Sequence, residues 1–275
     1  MIRELAPAKL NLVLHVGPPR SDGMHPLCSL FASLELADEL EMRPADAAGD
    51  VVECPGVEGP NLVAAALAAF RERAGAGALP PVRAVVDKRI PVAAGLGGGS
   101  ADAAAALRAA NRLAGEPLRH AELAALAAGL GSDVPSQVDP GHALVLGVGE
   151  VVEPVALPAL HVVLVPQPEG LRTPDVYAEL DRLEGWRERL DPEPLRHVAR
   201  ASPGELAAAV ENDLERAAVS LRPELGTVLA QLRAAGASAS AVAGSGPTCF
   251  ALFVERDDAE RAVAAVDGVL LTRLR

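Results

Sequence analysis

Four glycines fall within residues 95–99, between a strand-like run and an alanine-rich run, and no other feature restricts the chain more. Glycine has no Cβ, so consecutive N–H groups can turn toward one point. A helix opening directly afterwards adds unpaired N–H donors and the positive end of its dipole. The segment reads Pro91-Val92-Ala93-Ala94-Gly95-Leu96-Gly97-Gly98-Gly99-Ser100-Ala101-Asp102, with Ser100 expected to cap a helix over 101–113. It suits a polyphosphate, and it also suits a plain strand-to-helix turn. Two common phosphate loops do not match. No lysine follows as G-x-x-x-x-G-K-[ST] requires. Ser100 occupies the third glycine position of G-x-G-x-x-G, and in the later run Gly244-Ser245-Gly246 the same position holds Cys249.

Composition limits the ligand and the setting. A net charge of −12 argues against a general nucleic-acid or anionic-membrane surface, while leaving room for one local basic pocket. With four Phe, one Trp and one Tyr, stacking platforms for single strands are not expected. Cys28, Cys54 and Cys249 are widely spaced, so neither a disulfide framework nor a zinc site is indicated. The opening residues do not read as a secretory signal, and no apolar run approaches the ~20 residues that span a bilayer. The expectation is a soluble, acidic, globular protein with a cytoplasmic address.

Element patterns alternate without strict βαβ order, which points to α+β. Strands are expected at 10–16, 27–42, 82–87, 142–148, 151–156 and 160–166, and again near 239–243 and 249–254. Helices are expected at 61–74 after a Gly59-Pro60 turn with Asn61 as cap, at 120–130, and near 174–185, 203–217 and 223–235, before a last helix and strand. A proline-rich joint suggests domains over 1–156 and 157–275.

Rare residues mark candidate positions. Lys9 and Lys88 are the only lysines among 25 basic residues, so a position that kept lysine has reason to need a compact ammonium. Asparagine occurs four times, at Asn11, Asn61, Asn111 and Asn212. Lys9 and Asn11 lie two apart on one strand and therefore share a face.

Three separated segments then narrow the chemistry: residues 7–12 with Lys9 and Asn11, the loop at 91–102, and Ala243-Gly244-Ser245-Gly246. Their order and spacing resemble the motifs of the GHMP small-molecule kinases (galactose, homoserine, mevalonate and phosphomevalonate kinases). Further segments carry the likeness nearly end to end: Asp22-Gly23-Met24-His25, Pro60-Asn61-Leu62, Asp87-Lys88-Arg89-Ile90-Pro91, Leu130-Gly131-Ser132-Asp133-Val134-Pro135, Gly147-Val148-Gly149-Glu150, Thr173-Pro174 and Asn212-Asp213-Leu214. The resemblance implies a two-domain fold, with a ribosomal-protein-S5-like N-terminal domain and a ferredoxin-like C-terminal domain. It implies ATP with Mg²⁺ as phosphoryl donor, and as acceptor the 2-hydroxyl of a cytidyl-linked methylerythritol on the non-mevalonate route to isoprenoid precursors. Another small alcohol, or nucleotide binding without turnover, are the alternatives; oligomeric state is left open.

The same resemblance implies roles. Asp133 would accept the acceptor hydroxyl's proton, with Lys9 beside it keeping the carboxylate ionised and neutralising charge on the transferred oxygens. Gly95, Gly97, Gly98, Gly99 and Ser100 would cradle phosphate. Asn61 and Lys88 match positions near the adenosine, although Lys88 fits a phosphate or ribose contact, or a solvated lysine, as well. Asp102 reads as a structural acid ahead of a Mg²⁺ ligand, and the metal ligands are left unassigned. On the acceptor side stand Asn11, Met24, His25, Thr173, Tyr177, Gly244, Ser245 and Gly246. His25 would hold cytosine at its edge and Tyr177 at its face, and the second glycine run would supply backbone donors or simply turn a hairpin. Met24 departs from the pattern, which has tyrosine there, and Ala93-Ala94 stand where glycines are common.

Overall fold

The structure is a computed structural model that describes residues 1–57 and 61–275. The expected Gly59-Pro60 turn lies outside the described residues. The chain divides into two compact units, residues 1–8, 36–92 and 97–140 in the first, and 9–35, 93–96 and 141–275 in the second. The long strands β1 (Ile2–Val16) and β2 (Leu27–Pro44) contribute residues to both units. The boundary at 156/157 remains a proposal.

In the first unit, β4 (Val82–Asp87) runs parallel to β3 (Val51–Glu53) and antiparallel to residues 39–44 of β2. Helices α1 (Leu62–Ala74), α2 (Gly98–Leu113) and α3 (His120–Leu130) complete it. Asn61 caps α1 as expected, its Oδ1 accepting the Val63 N–H at 2.8 Å. Seven buried alanines on α2 (101, 103–106, 109 and 110) keep its surface thin, so α1 packs closely against it. Phe70, Leu67, Leu40, Met42 and Val82 fill the core. Ser100 does not cap α2. Gly97, in the left-handed region at φ 70°, occupies the cap position, and Gly98 and Gly99 already wind as helix.

In the second unit, residues 27–31 of β2 pair with β5 (Ala143–Gly147), which turns into β6 (Val151–Pro154). A separate antiparallel sheet has the order β11-β7-β10-β9, from β7 (His161–Val165), β9 (Ala239–Val242), β10 (Cys249–Phe253) and β11 (Leu270–Arg273). Fourth, first, third, second is the ferredoxin-like order. Helices α4 (Thr173–Arg182), α5 (Glu193–Val198), α6 (Pro203–Ala208), α7 (Glu215–Leu221) and α8 (Glu224–Ala234) lie between β7 and β9, and α9 (Arg256–Ala265) follows β10. Leu225, Leu229, Val242, Cys249 and Phe253 belong to its core.

The single helix expected near 203–217 is instead α6, a two-residue strand β8 (Glu211–Asn212) and α7. Helical periodicity loses to pairing there: Val13 and Leu14 of β1 take Glu211 and Asn212 as parallel partners.

Candidate active site

Residues 6–16 of β1 are all buried, so this strand is covered on both faces. Its two-residue period places Lys9 and Asn11 on one face. Lys9 Nζ donates to Asn11 Oδ1 at 2.7 Å and stands 5.0 Å from the centre of the Phe31 ring. Asn11 Nδ2 donates to Ser29 Oγ, which donates in turn to the Val13 carbonyl. The chain of bonds turns the Asn11 oxygen toward the ammonium. Asn11 therefore holds Lys9 from the same face of the strand. Ser29, wholly buried, went unnoticed because nothing local to it marks it.

Both glycine runs close on this strand. The Lys9 N–H donates to the Leu96 carbonyl at 2.9 Å. A Cβ on Gly95 would lie 2.5 Å from the Ala243 carbonyl oxygen and 2.7 Å from that of Gly246. A Cβ on Gly244 would lie 3.2 Å from Asn11 Oδ1 and 3.5 Å from Lys9 Nζ. Three segments far apart in sequence are thus in mutual contact within the second unit. Gly244-Ser245-Gly246 does turn the β9–β10 hairpin, and the hairpin tip is also what reaches Lys9. Ser245 Oγ lies 2.9 Å from Thr173 Oγ1 at the start of α4.

The expected base-recognition residues lie together as well. The His25 ring is buried, its Nδ1 2.8 Å from the Gly17 carbonyl and its Nε2 3.5 Å from Asp181 Oδ1. Its centre is 5.1 Å from that of the Tyr177 ring, with the planes tilted by 42°. Met24 is 47% exposed. Asp181 carried no sequence signal; only α4 brings it to His25.

The first unit holds the rest. Asp133 is half-buried in the turn after α3, and its carbonyl accepts a bond from Ser136 Oγ. Lys88 is not the solvated lysine that the sequence allowed. Its ammonium donates inward to Asp38 and, at 2.8 Å, to Asp102. Asp38, fully buried, also accepts the N–H groups of Arg89 and Ile90 at 2.6 and 2.8 Å, fixing the backbone that enters the glycine loop. Lys88 therefore reaches the loop through its scaffold: a Cβ on Gly98 would lie 3.3 Å from its Nζ. Burial works against charge on Lys88, but bonds and fields from Asp102 and Asp38 outweigh it and hold its pKa above the usual value. Burial likewise pushes the Asp102 carboxyl up to about 6, against the pull of Lys88. Its Oδ1 is buried with no hydrogen-bond partner. Among the described residues, no three His, Cys, Asp or Glu side chains are grouped to hold a metal ion, and no helix is long and apolar enough to cross a membrane.

Comparison with known proteins fits this geometry. Residues 61–141 match the GHMP kinases N terminal domain and 195–270 the GHMP kinases C terminal domain. The fold and its two glycine loops are those of a small-molecule kinase of the GHMP class. A homoserine kinase from Cytophaga hutchinsonii shares the fold at TM-score 0.72 with 18% identity, over 100% of this chain and 94% of its own. Closer likenesses carry one name. The 4-diphosphocytidyl-2-C-methyl-D-erythritol kinase of Salinispora tropica is 43% identical over 99% of this chain and 90% of its own, and that of Nocardia farcinica 47% over 94% and 87%. A crystal structure of 4-(cytidine 5'-diphospho)-2C-methyl-D-erythritol kinase superposes at TM-score 0.84 with 37% identity, covering 99% of both chains. The chain belongs to this family of kinases.

Proposed function

We propose that this enzyme transfers the γ-phosphoryl group of MgATP to the 2-hydroxyl of 4-diphosphocytidyl-2-C-methyl-D-erythritol, a step toward isoprenoid precursors. The observation that carries the reading is the convergence of Lys9 with both glycine runs on one buried strand. Phosphoryl transfer asks mainly for positioning and charge stabilisation, and an ammonium held beside the two glycine runs suits both. Asp133 is assigned as the base that takes the hydroxyl proton. Gly95, Gly97, Gly98, Gly99 and Ser100 are assigned to the nucleotide phosphates, with Asn61 toward the adenosine. Lys88 supports this loop through Asp38 and Asp102. Because Asp38 and Asp102 share the Lys88 ammonium, they form no ready cage for Mg²⁺, and the ion enters as part of the nucleotide substrate.

His25, Tyr177 and Met24 are assigned to the cytosine, with Thr173 and the 244–246 run toward the acceptor. The exposed Met24 favours a second reading, a GHMP kinase of an alcohol without a base. Steady-state ADP release separates the two, comparing the cytidyl-linked alcohol with the same alcohol phosphate lacking the cytidylyl group. A strong preference for the first supports the assignment; equal use of both moves it to the second reading.

A further inference from the structure

We propose that Asn212 is a positioning residue for phosphoryl transfer, setting the hairpin tip against Lys9. The inference rests on the reading that Lys9 and the 244–246 run serve the reaction. Asn212 is buried, and its amide both donates and accepts. Nδ2 donates to the carbonyls of Val242 and Gly244, at 2.8 and 2.7 Å, and Oδ1 accepts the Leu214 N–H at 2.9 Å. One side chain thereby ties the last residue of β9 and the first glycine of the tip to the start of α7.

The anchor itself is fixed to the catalytic strand. Asn212 pairs with Leu14 in parallel register, the Asp213 N–H donates to the Leu14 carbonyl at 2.9 Å, and Asp213 Oδ2 accepts the Val16 N–H at 2.9 Å. Arg187 holds the Asp213 carboxylate with two bonds. Asn212 therefore measures the hairpin from the same strand that carries Lys9 and Asn11. Gly244, whose carbonyl it holds, has its α-carbon facing Asn11 Oδ1 and Lys9 Nζ. If the tip moves, the backbone surface opposite the ammonium moves with it, and a misplacement of about 1 Å costs on the order of a hundredfold in rate.

The test is Asn212→Asp. The carboxylate keeps an acceptor for Leu214 but sets oxygen against two carbonyl oxygens. Asn111→Asp is the control, since buried Asn111 likewise donates to a carbonyl and accepts an N–H, both of Leu118, and has no part assigned in the site. Melting temperature, kcat and KM for ATP are measured on both, well below either melting point. We expect kcat of Asn212→Asp to fall about ten- to a hundredfold with KM for ATP within about twofold, while Asn111→Asp loses melting temperature without losing kcat. Unchanged kcat in Asn212→Asp overturns the proposal, as does equal loss of kcat in both at matched destabilisation. If Asn212→Asp does not fold, Asn212→Ser, whose hydroxyl still accepts from Leu214, carries the same comparison with the same outcomes. Lys9→Ala separates the two levels. Normal turnover in Lys9→Ala overturns the reading of the site and this inference with it. Loss in Lys9→Ala beside normal turnover in Asn212→Asp overturns the inference alone.

Discussion

Replacing Gly95 with alanine adds one methyl group where two runs of backbone meet. Gly95 sits at φ 77°, a region that costs an L residue about 1–2 kcal/mol. The new Cβ would stand 2.5 and 2.7 Å from two carbonyl oxygens, so one run must recede by roughly half an ångström or more. Neither oxygen belongs to a flexible side chain, and overpacking of this kind costs about 1–3 kcal/mol. The two effects together predict a destabilisation of about 2–5 kcal/mol, and a kcat lower by about ten- to a hundredfold because the moved run bears on Lys9. Calorimetry and steady-state ADP release read the two effects. Gly129→Ala is the control: an exposed glycine of α3 with nothing within 4 Å of its added Cβ. It should gain up to about 1 kcal/mol from helix propensity. A Gly95→Ala protein that melts and turns over like Gly129→Ala would refute the claim that the two glycine runs are packed backbone to backbone.

Asp133→Asn should lower kcat by ~10²–10⁴-fold while ATP binding, measured by calorimetric titration, survives; near-normal turnover removes Asp133 from the reaction. Asp102→Asn tests the buried acid. Its folded pKa, raised by burial to about 6, lies above the unfolded value of 3.8, so the folded state binds more protons between those values and stability falls as pH rises through that window. Relative to the asparagine variant, the parent should lose melting temperature from pH 4 to 6 and hold a constant difference above, as long as Lys88 stays charged; parallel pH profiles contradict this. Tyr177→Ala should raise KM for the cytidyl-linked acceptor about tenfold, given ~1–3 kcal/mol per stacked base, with KM for ATP unchanged. An equal rise in both would place Tyr177 outside base recognition.

Local chemistry was legible in the sequence, and distant pairing was not. Strand β4 and helices α1 and α3 follow from their own patterns, down to Asn61 as the α1 cap. The glycine runs and the scarce lysines led to Lys9 and to the hairpin tip. By contrast, Asp38 lies 50 residues from Lys88, within a strand that gives it no prominence, and only the fold makes it the anchor of the loop. Residues 203–217 look helical because alanine and leucine recur at helical spacing. The helix ends at Ala208, and Glu211 and Asn212 pair with the distant β1, Asn212 also bonding three partners on other elements or beyond the break. Ser100 was a sound cap by type, but Gly97 reaches a left-handed conformation closed to serine without strain, and the helix starts earlier.

The two lysines give the folded enzyme an unusual response to amine chemistry. Lys9 is 5% exposed and bonded to Asn11, and the Lys88 ammonium is enclosed by two carboxylates. An acylating reagent needs an accessible amine, and little of either lysine side chain is exposed in the folded protein. Enzymatic acetylation meets the same obstacle. Lysine acylation followed by mass spectrometry would therefore report opening of the strand at residue 9 and of the loop scaffold at residue 88 as two separate signals, against no background from surface lysines.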